Sequence, residues 1–305
     1  MAKHRMAWLP LLTALLTAIP GAADVFHFAT DPPDGRMAMG SRPASTGKIE
    51  IEAADDFLIS NPTTLTHATF TGLLTGGAAI ADVGQVAVEI YRVFPLDSTN
   101  PPSGNVPTRA NSPSDVVFAS RDSSAGTLTF ATTVLSASFA ASNSVLNGIH
   151  PLPNQTTGGD GPVTGQEVQF DVTFNPPIVL APGHYFFVPQ VQVTLQGGEF
   201  YWLSSANPIA GTGTPFTPDL QSWIRDENLD PDWLRVGTDI VGGTPAPTFN
   251  GVFSLDGTFA AAPAPPIPAL STFGLIALSL ALAAVALWRL PRARVKPGPA
   301  PACPD

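Results

Sequence analysis

Apolar and polar residues alternate with period two through most of the chain. In EVQFDVTF, Val168, Phe170, Val172 and Phe174 fall on one side, and Glu167, Gln169, Asp171 and Thr173 on the other. That is the pattern of a half-buried strand. VGQVAVEIYRVF (83–94) repeats it, with Val86, Val88 and Ile90 opposed to Ala87, Glu89 and Tyr91. KIEIEAADDFLI, LTHATFTGLL (65–74), VVFAS and GTLTFATTVL read the same way and are rich in β-branched residues. NPPIVLAPGHYFFVPQVQVTL and GEFYWLS are expected to form a hairpin set turned at Pro182-Gly183 and Gly197-Gly198. FNGVFSLDGTF (249–259) is the last strand expected. Residues 31–47 read as a polar lead-in, and two long polar connections, 95–115 and 143–165, separate strands.

Many short strands without an amphipathic helix predict an all-β fold, an antiparallel β-sandwich that is jelly-roll-like. The 33 prolines and 27 glycines agree, because they punctuate the chain too often for long helices. One segment breaks the pattern. Residues 269–288 are 20 residues without a charge, the length of a transmembrane helix, and Trp288 stands at its end as an interfacial aromatic would. Arg289, Arg292, Arg294 and Lys296 follow as a membrane-stop basic cluster, which puts the carboxyl end in the cytoplasm and everything before the span outside.

The amino terminus is a second address. Lys3 and Arg5 precede an apolar run and a small-residue region ending at Ala23, the layout of a signal peptide handled by the Sec translocon and signal peptidase. The expected organisation is therefore signal peptide 1–23, ectodomain 24–261, Pro/Ala spacer with a short motif 262–268, transmembrane helix 269–288 and basic tail 289–305.

The spacer leads into IPALSTFG and then the span and the arginines. This tripartite layout resembles the IPTL-CTERM class of bacterial sorting signals, relatives of the PEP-CTERM signals. Ile267, Pro268, Leu270 and Gly274 match, while Ala269 stands where the class usually has Thr and Phe273 where it usually has Trp. The resemblance implies an exosortase-like sorting transpeptidase as partner, a cut near Ile267, and release of the ectodomain or its transfer to the cell surface. The ectodomain itself resembles the β-sandwiches often found upstream of such tails.

Charge narrows the function further. The ectodomain holds 23 of the 24 acidic residues but eight of the 14 basic ones, which leaves it near −15. Such a surface excludes nucleic acid as a partner, since binding it needs clustered Lys and Arg. Cys303 lies beyond the span, so no disulfide staples the ectodomain.

Candidate chemistry is sparse. Asp226, Asn228, Asp230 and Asp232 alternate like the opening of an EF-hand loop and would suit Ca²⁺, although Pro231 replaces the required Gly and Gly237 the closing Glu. Asp55-Asp56 is a weaker second candidate. No other cofactor is expected. Trp223 and Trp233 flank the acidic loop and are expected to be exposed, with Trp202, Tyr185 and Tyr201 as further aromatics that could stack on extracellular polysaccharide. His27, His67, His150 and His184 are scattered, and His184 is expected to face solvent after its Pro-Gly turn. Glu199 with Asp226 or Glu227 is the one glycosidase-like carboxylate pairing available. No catalytic residue is assigned. The reading is a non-enzymatic surface or extracellular-matrix protein, first anchored in membrane lipid through its C-terminal helix, with a structural or adhesive body. The alternative is a carbohydrate-binding module assisted by Ca²⁺, and a polysaccharide hydrolase comes third.

Overall fold

The computed structural model describes residues 24–150, 152, 155–206, 219–260 and 272–289. The expected signal peptide and the spacer lie outside them. The chain divides into two compact units, at Ala260 and Ala261. All the apolar clusters of the first unit lie between residues 24 and 260.

That unit is all-β, built from two sheets. The nine-stranded sheet holds β1 (Val25–Ala29), β2 (Pro33–Gly40), β4 (Thr63–Leu74), β7 (Leu128–Ala141), β8 (Asn143–Val145), β9 (Val163–Leu180), β11 (Phe200–Ser205), β14 (Asn250–Gly251) and β15 (Phe253–Phe259). The six-stranded sheet holds β3 (Ile51–Ile59), β5 (Val83–Val93), β6 (Pro113–Asp122), β10 (Gly183–Val193), β12 (Trp223–Asp226) and β13 (Leu234–Arg235), in the order β13-β12-β3-β10-β5-β6. Pairing is antiparallel except for the short parallel contact of β2 with β8. Among the described residues the strands outnumber the eight of a jelly roll.

The two sheets pack face to face through aromatic rings. Phe187 of β10 stacks on Phe253 of β15 at 5.0 Å, and its ring also meets Phe70 of β4 and Trp202 of β11. Each such side chain contributes about 1.5–3 kcal/mol by leaving water. The Trp202 indole N–H is satisfied by the Val252 carbonyl at 2.8 Å. Gly251 lets the neighbouring strand lie on that indole, since a Cβ there would stand 2.3 Å from the ring.

The expected alternations hold in β5 and β9, where Val86, Val88, Ile90, Val168, Phe170, Val172 and Phe174 are all buried. The expected hairpin set is wrong. β9 pairs with β4 and β7, β10 with β3 and β5, and β11 with β2, β4 and β14. The turns at Pro182-Gly183 and Gly197-Gly198 therefore carry the chain from one sheet to the other and back, with Gly197 at φ +77° making the second crossing. The polar lead-in also contains a strand. β2 buries Met37, Ala38, Met39 and Gly40, and its apolar residues are consecutive because the sheet is covered on both faces there.

β1 and β15 are neighbours, with Val25 opposite Thr258, and β15 has β4 on its other side. The two ends of the body thus emerge side by side. In the second unit the apolar segment forms one helix, α1 (Thr272–Arg289), of 18 residues. It starts later than the expected span, whose residues 269–271 lie outside the described residues. Among the described residues no helix is long and apolar enough to cross a membrane.

Candidate functional site

The outward face of the six-stranded sheet carries most of the unusual chemistry. Along β3, Ile51, Ala53, Phe57 and Ile59 enter the core between the sheets, while Ala54 faces outward into a second apolar cluster. That cluster contains Tyr91, Val93, Phe186, Val188, Leu220, Trp223 and Trp233.

Trp223 and Trp233 are therefore not an exposed platform. Trp223 is 2 % exposed and Trp233 is fully covered. Trp233 meets Tyr91 edge to face at 5.5 Å, and the Arg225 guanidinium lies 4.4 Å over its ring. Burying two indoles removes several hundred Å² of ring surface from water, and that outweighs their proximity to an acidic loop. Trp202, Tyr185 and Tyr201 are buried as well.

The expected Ca²⁺ donors do not converge. Asp226 accepts the backbone N–H groups of Asn228 and Leu229, closing its own turn. Asp230 pairs with Arg225. Asp232 is buried and pairs with Arg109 at 2.7 Å. Asn228 is exposed. A cation would have to displace two arginines, and among the described residues no three His, Cys, Asp or Glu side chains are grouped to hold a metal. Asp55 and Asp56 point to opposite faces of β3. Asp55 reaches across to the Gly251 N–H at 2.8 Å and to Ser222, whereas Asp56 holds His184 and the Leu220 N–H. Burial raises the pKa of both carboxyls, the neighbouring Asp56 adding to the effect at Asp55. His184 is thus buried rather than solvent-facing.

Around Arg225 lies a buried network. Its guanidinium engages Glu52 and Asp230 and donates to the Tyr91 hydroxyl at 2.9 Å. Tyr91 in turn lies 2.7 Å from Glu52 and 2.8 Å from Glu89. Burial, reinforced by Glu52, pushes the Glu89 carboxyl up to about 8. Burial is the largest single effect on Arg225 and opposes its charge, but Glu52, Tyr91 and Asp230 together outweigh it and raise the pKa, so Arg225 keeps its proton.

The long polar connection after β5 is pinned over this face. Arg109 is 4 % exposed, stacks 4.6 Å above Phe94 and binds both Asp115 and Asp232. Beside it opens a cavity of about 260 Å³ lined by Asn111, Gln221, Trp223, Arg235, Thr238 and Thr248 among others. Arg235 is neutralised there by Asp239, through bonds of 2.9 and 2.7 Å. Thr238 bonds to the Gln221 side-chain oxygen. The buried Trp223 indole N–H has no hydrogen-bond partner.

Other expected pairings resolve differently. Glu199 is held by Arg42 and Lys48, so it forms no carboxylate pair with Asp226 or Glu227. His27 and His67, distant in sequence, share Asp256 on the outer face of the nine-stranded sheet, and His67 also reaches Asp171. Only strand register brings these together, and the sequence carries no signal of it.

A family model of the IPTL-CTERM motif matches residues 265–292. The chain carries an IPTL-CTERM motif. It implies an exported cell-surface protein processed by an exosortase-like system. The IPTL-CTERM match takes in Ile267, Pro268, Ala269, Leu270, Phe273 and Gly274, and of the basic cluster Arg289 and Arg292, with Arg294 and Lys296 just beyond. Residues 267–270 and 292–296 lie outside the described residues, and Phe273, Gly274 and Arg289 are described as backbone of α1. No curated protein matches the chain.

Proposed function

We propose that this is a non-enzymatic surface or extracellular-matrix protein, sorted through its IPTL-CTERM tail, whose acidic β-sandwich is a structural or adhesive part of the envelope. The observation that carries the reading is the motif at residues 265–292, placed directly after a body with its own core. In this reading the Sec translocon exports the chain and signal peptidase removes residues 1–23. The uncharged run 269–288 then holds the protein in membrane lipid until an exosortase-like transpeptidase cuts near Ile267. The lipid step rests on the uncharged sequence run; α1 exposes Ile276, Leu280, Leu282, Val285 and Trp288 but as described is not long and apolar enough to cross a membrane. Intact mass spectrometry of the protein recovered from cells and from medium tests the reading. Loss of residues 1–23 together with everything after about residue 267 is expected. A mature chain still ending at Asp305 would remove the sorting step.

A second reading, binding of a neutral sugar, is favoured by the cavity beside Trp223. Its hydroxyls, amides, neutralised arginine and unpartnered indole donor suit a small hydroxyl-rich molecule. Its volume lies below the roughly 300–1,000 Å³ of drug-sized sites, which restricts the ligand to about one ring. Saturation-transfer NMR with glucose, galactose, mannose and N-acetylglucosamine is the test. At least one should give a signal that Trp223→Phe, which keeps a ring but removes the donor, abolishes. Silence from all four ends this reading.

A further inference from the structure

Among the described residues β7 is hydrogen-bonded to β9 alone, so one side of its backbone is open. Sheet edges are templates for another strand, and proteins blunt them with short length, charge or proline. The other edges follow that rule. β1 has five residues, β8 three and β13 two. β6 begins with Pro113 and carries Asp115, Arg121 and Asp122. β7 has none of these protections. It is 14 residues long, LTFATTVLSASFAA, with no charge and no proline. Indeed positions 123–159 contain no Asp, Glu, Lys or Arg at all.

The open edge is not uniform. Register shifts at Val134/Ser136 and Ser136/Phe139 break the ladder in the second half of β7, as bulges at protected edges do. Before them, Leu128 to Val134 pair residue for residue with Phe174 to Val168. That regular run is the usable template, with Thr129, Ala131 and Thr133 exposed along it.

We propose that this edge is a self-association surface, on which β7 of one molecule pairs antiparallel with β7 of a second copy. Charge selects the occupant. Two bodies near −15 repel wherever their acidic surfaces meet, and β7 is the long edge where they can approach with no charge facing charge. A basic partner would be drawn to the acidic surface elsewhere. Asp171, opposite Ala131 on β9, is already bonded to His67. An antiparallel pair of identical strands is self-complementary, places Thr and Ala against their like, and closes after two copies. The resulting sheet is continuous across both molecules. The inference does not depend on the tail or on the cavity.

The test uses residues 24–260, which contain every apolar cluster of the body. Sedimentation velocity over a wide concentration range should show the mass doubling as concentration rises. The Ala131→Lys/Thr133→Lys double variant should stay monomeric over the same range. Hydrogen exchange on the parent should show amides of 128–134 becoming protected with concentration, a readout that needs no variant to fold. A parent that stays monomeric throughout, a dimer that survives in a natively folded lysine variant, or exchange at 128–134 that ignores concentration would each overturn the proposal.

Discussion

Tyr91 has one hydroxyl proton and two carboxylates within reach. It can donate to Glu52 or to Glu89, not to both, so the second carboxyl must bring its own proton. Glu89 does so, its carboxyl lifted from an ordinary value of 4.5 to about 8 by burial and by Glu52. The folded state therefore binds a proton that the unfolded state has already released, across the window between those two values. The contribution of Glu89 to stability must fall as pH rises through that window, by at most about 1.4 kcal/mol per pH unit, and level off above it. Asp55 and Asp56, also raised, act in the same direction. Glu89→Gln keeps a neutral hydrogen-bonding group at every pH, so urea midpoints between about pH 5 and 8 should fall less steeply than in the parent. Equal slopes would show that Glu89 is not the group that titrates. None of this was readable from VGQVAVEIYRVF, which places Glu89 and Tyr91 on one face but cannot show that Arg225 arrives over them from a strand far along the chain.

At the scale of elements, the connection between β5 and β6 has one buried cationic tie, with Ser103 also bonded to Asp232 and the Asn100 N–H to Asp115. Arg109 ties that segment to Asp115 and to Asp232 of the acidic turn, with all three side chains almost fully covered. Arg109→Ala would leave two buried carboxylates unpaired, at a cost of about 3–5 kcal/mol. Limited proteolysis with proteinase K, whose specificity is broad, should then cut within 96–108 in the variant while the parent resists. Equal resistance would mean the segment is held by something other than Arg109. The elements themselves were legible in proportion to their asymmetry. β9, with one covered face, declares itself through Val168, Phe170, Val172 and Phe174. β10 is buried on both faces, with Phe187 in the main core and Phe186 in the outer cluster, and it gives only a continuous apolar run. Nor does a Pro-Gly turn reveal whether it folds a strand back on its neighbour or sends it to the opposite sheet. The acidic loop misled for a related reason. Alternating carboxylates spell a cation site only when no arginine comes between them, and Arg109 and Arg225 do.

For the molecule as a whole, the parts read most directly from sequence were those defined by composition alone. The sorting tail is recognisable from a short motif, an uncharged run and a basic cluster, none of which needs a partner elsewhere in the chain. The body's acidity is legible in the same way, though its distribution over the surface is not. Sequence gives the charge-free segment 123–159, while only the sheet order shows that it forms an open edge. β15 has a different consequence. It is the strand from which the carboxyl-terminal tail departs, and it lies inside its sheet, clasped by β1 and β4. A pull applied through the tail runs along β15 and loads both of its ladders in shear, so their hydrogen bonds must yield together instead of opening one by one like a zipper. Any tether at the carboxyl end would thereby act on a strand placed to bear tension.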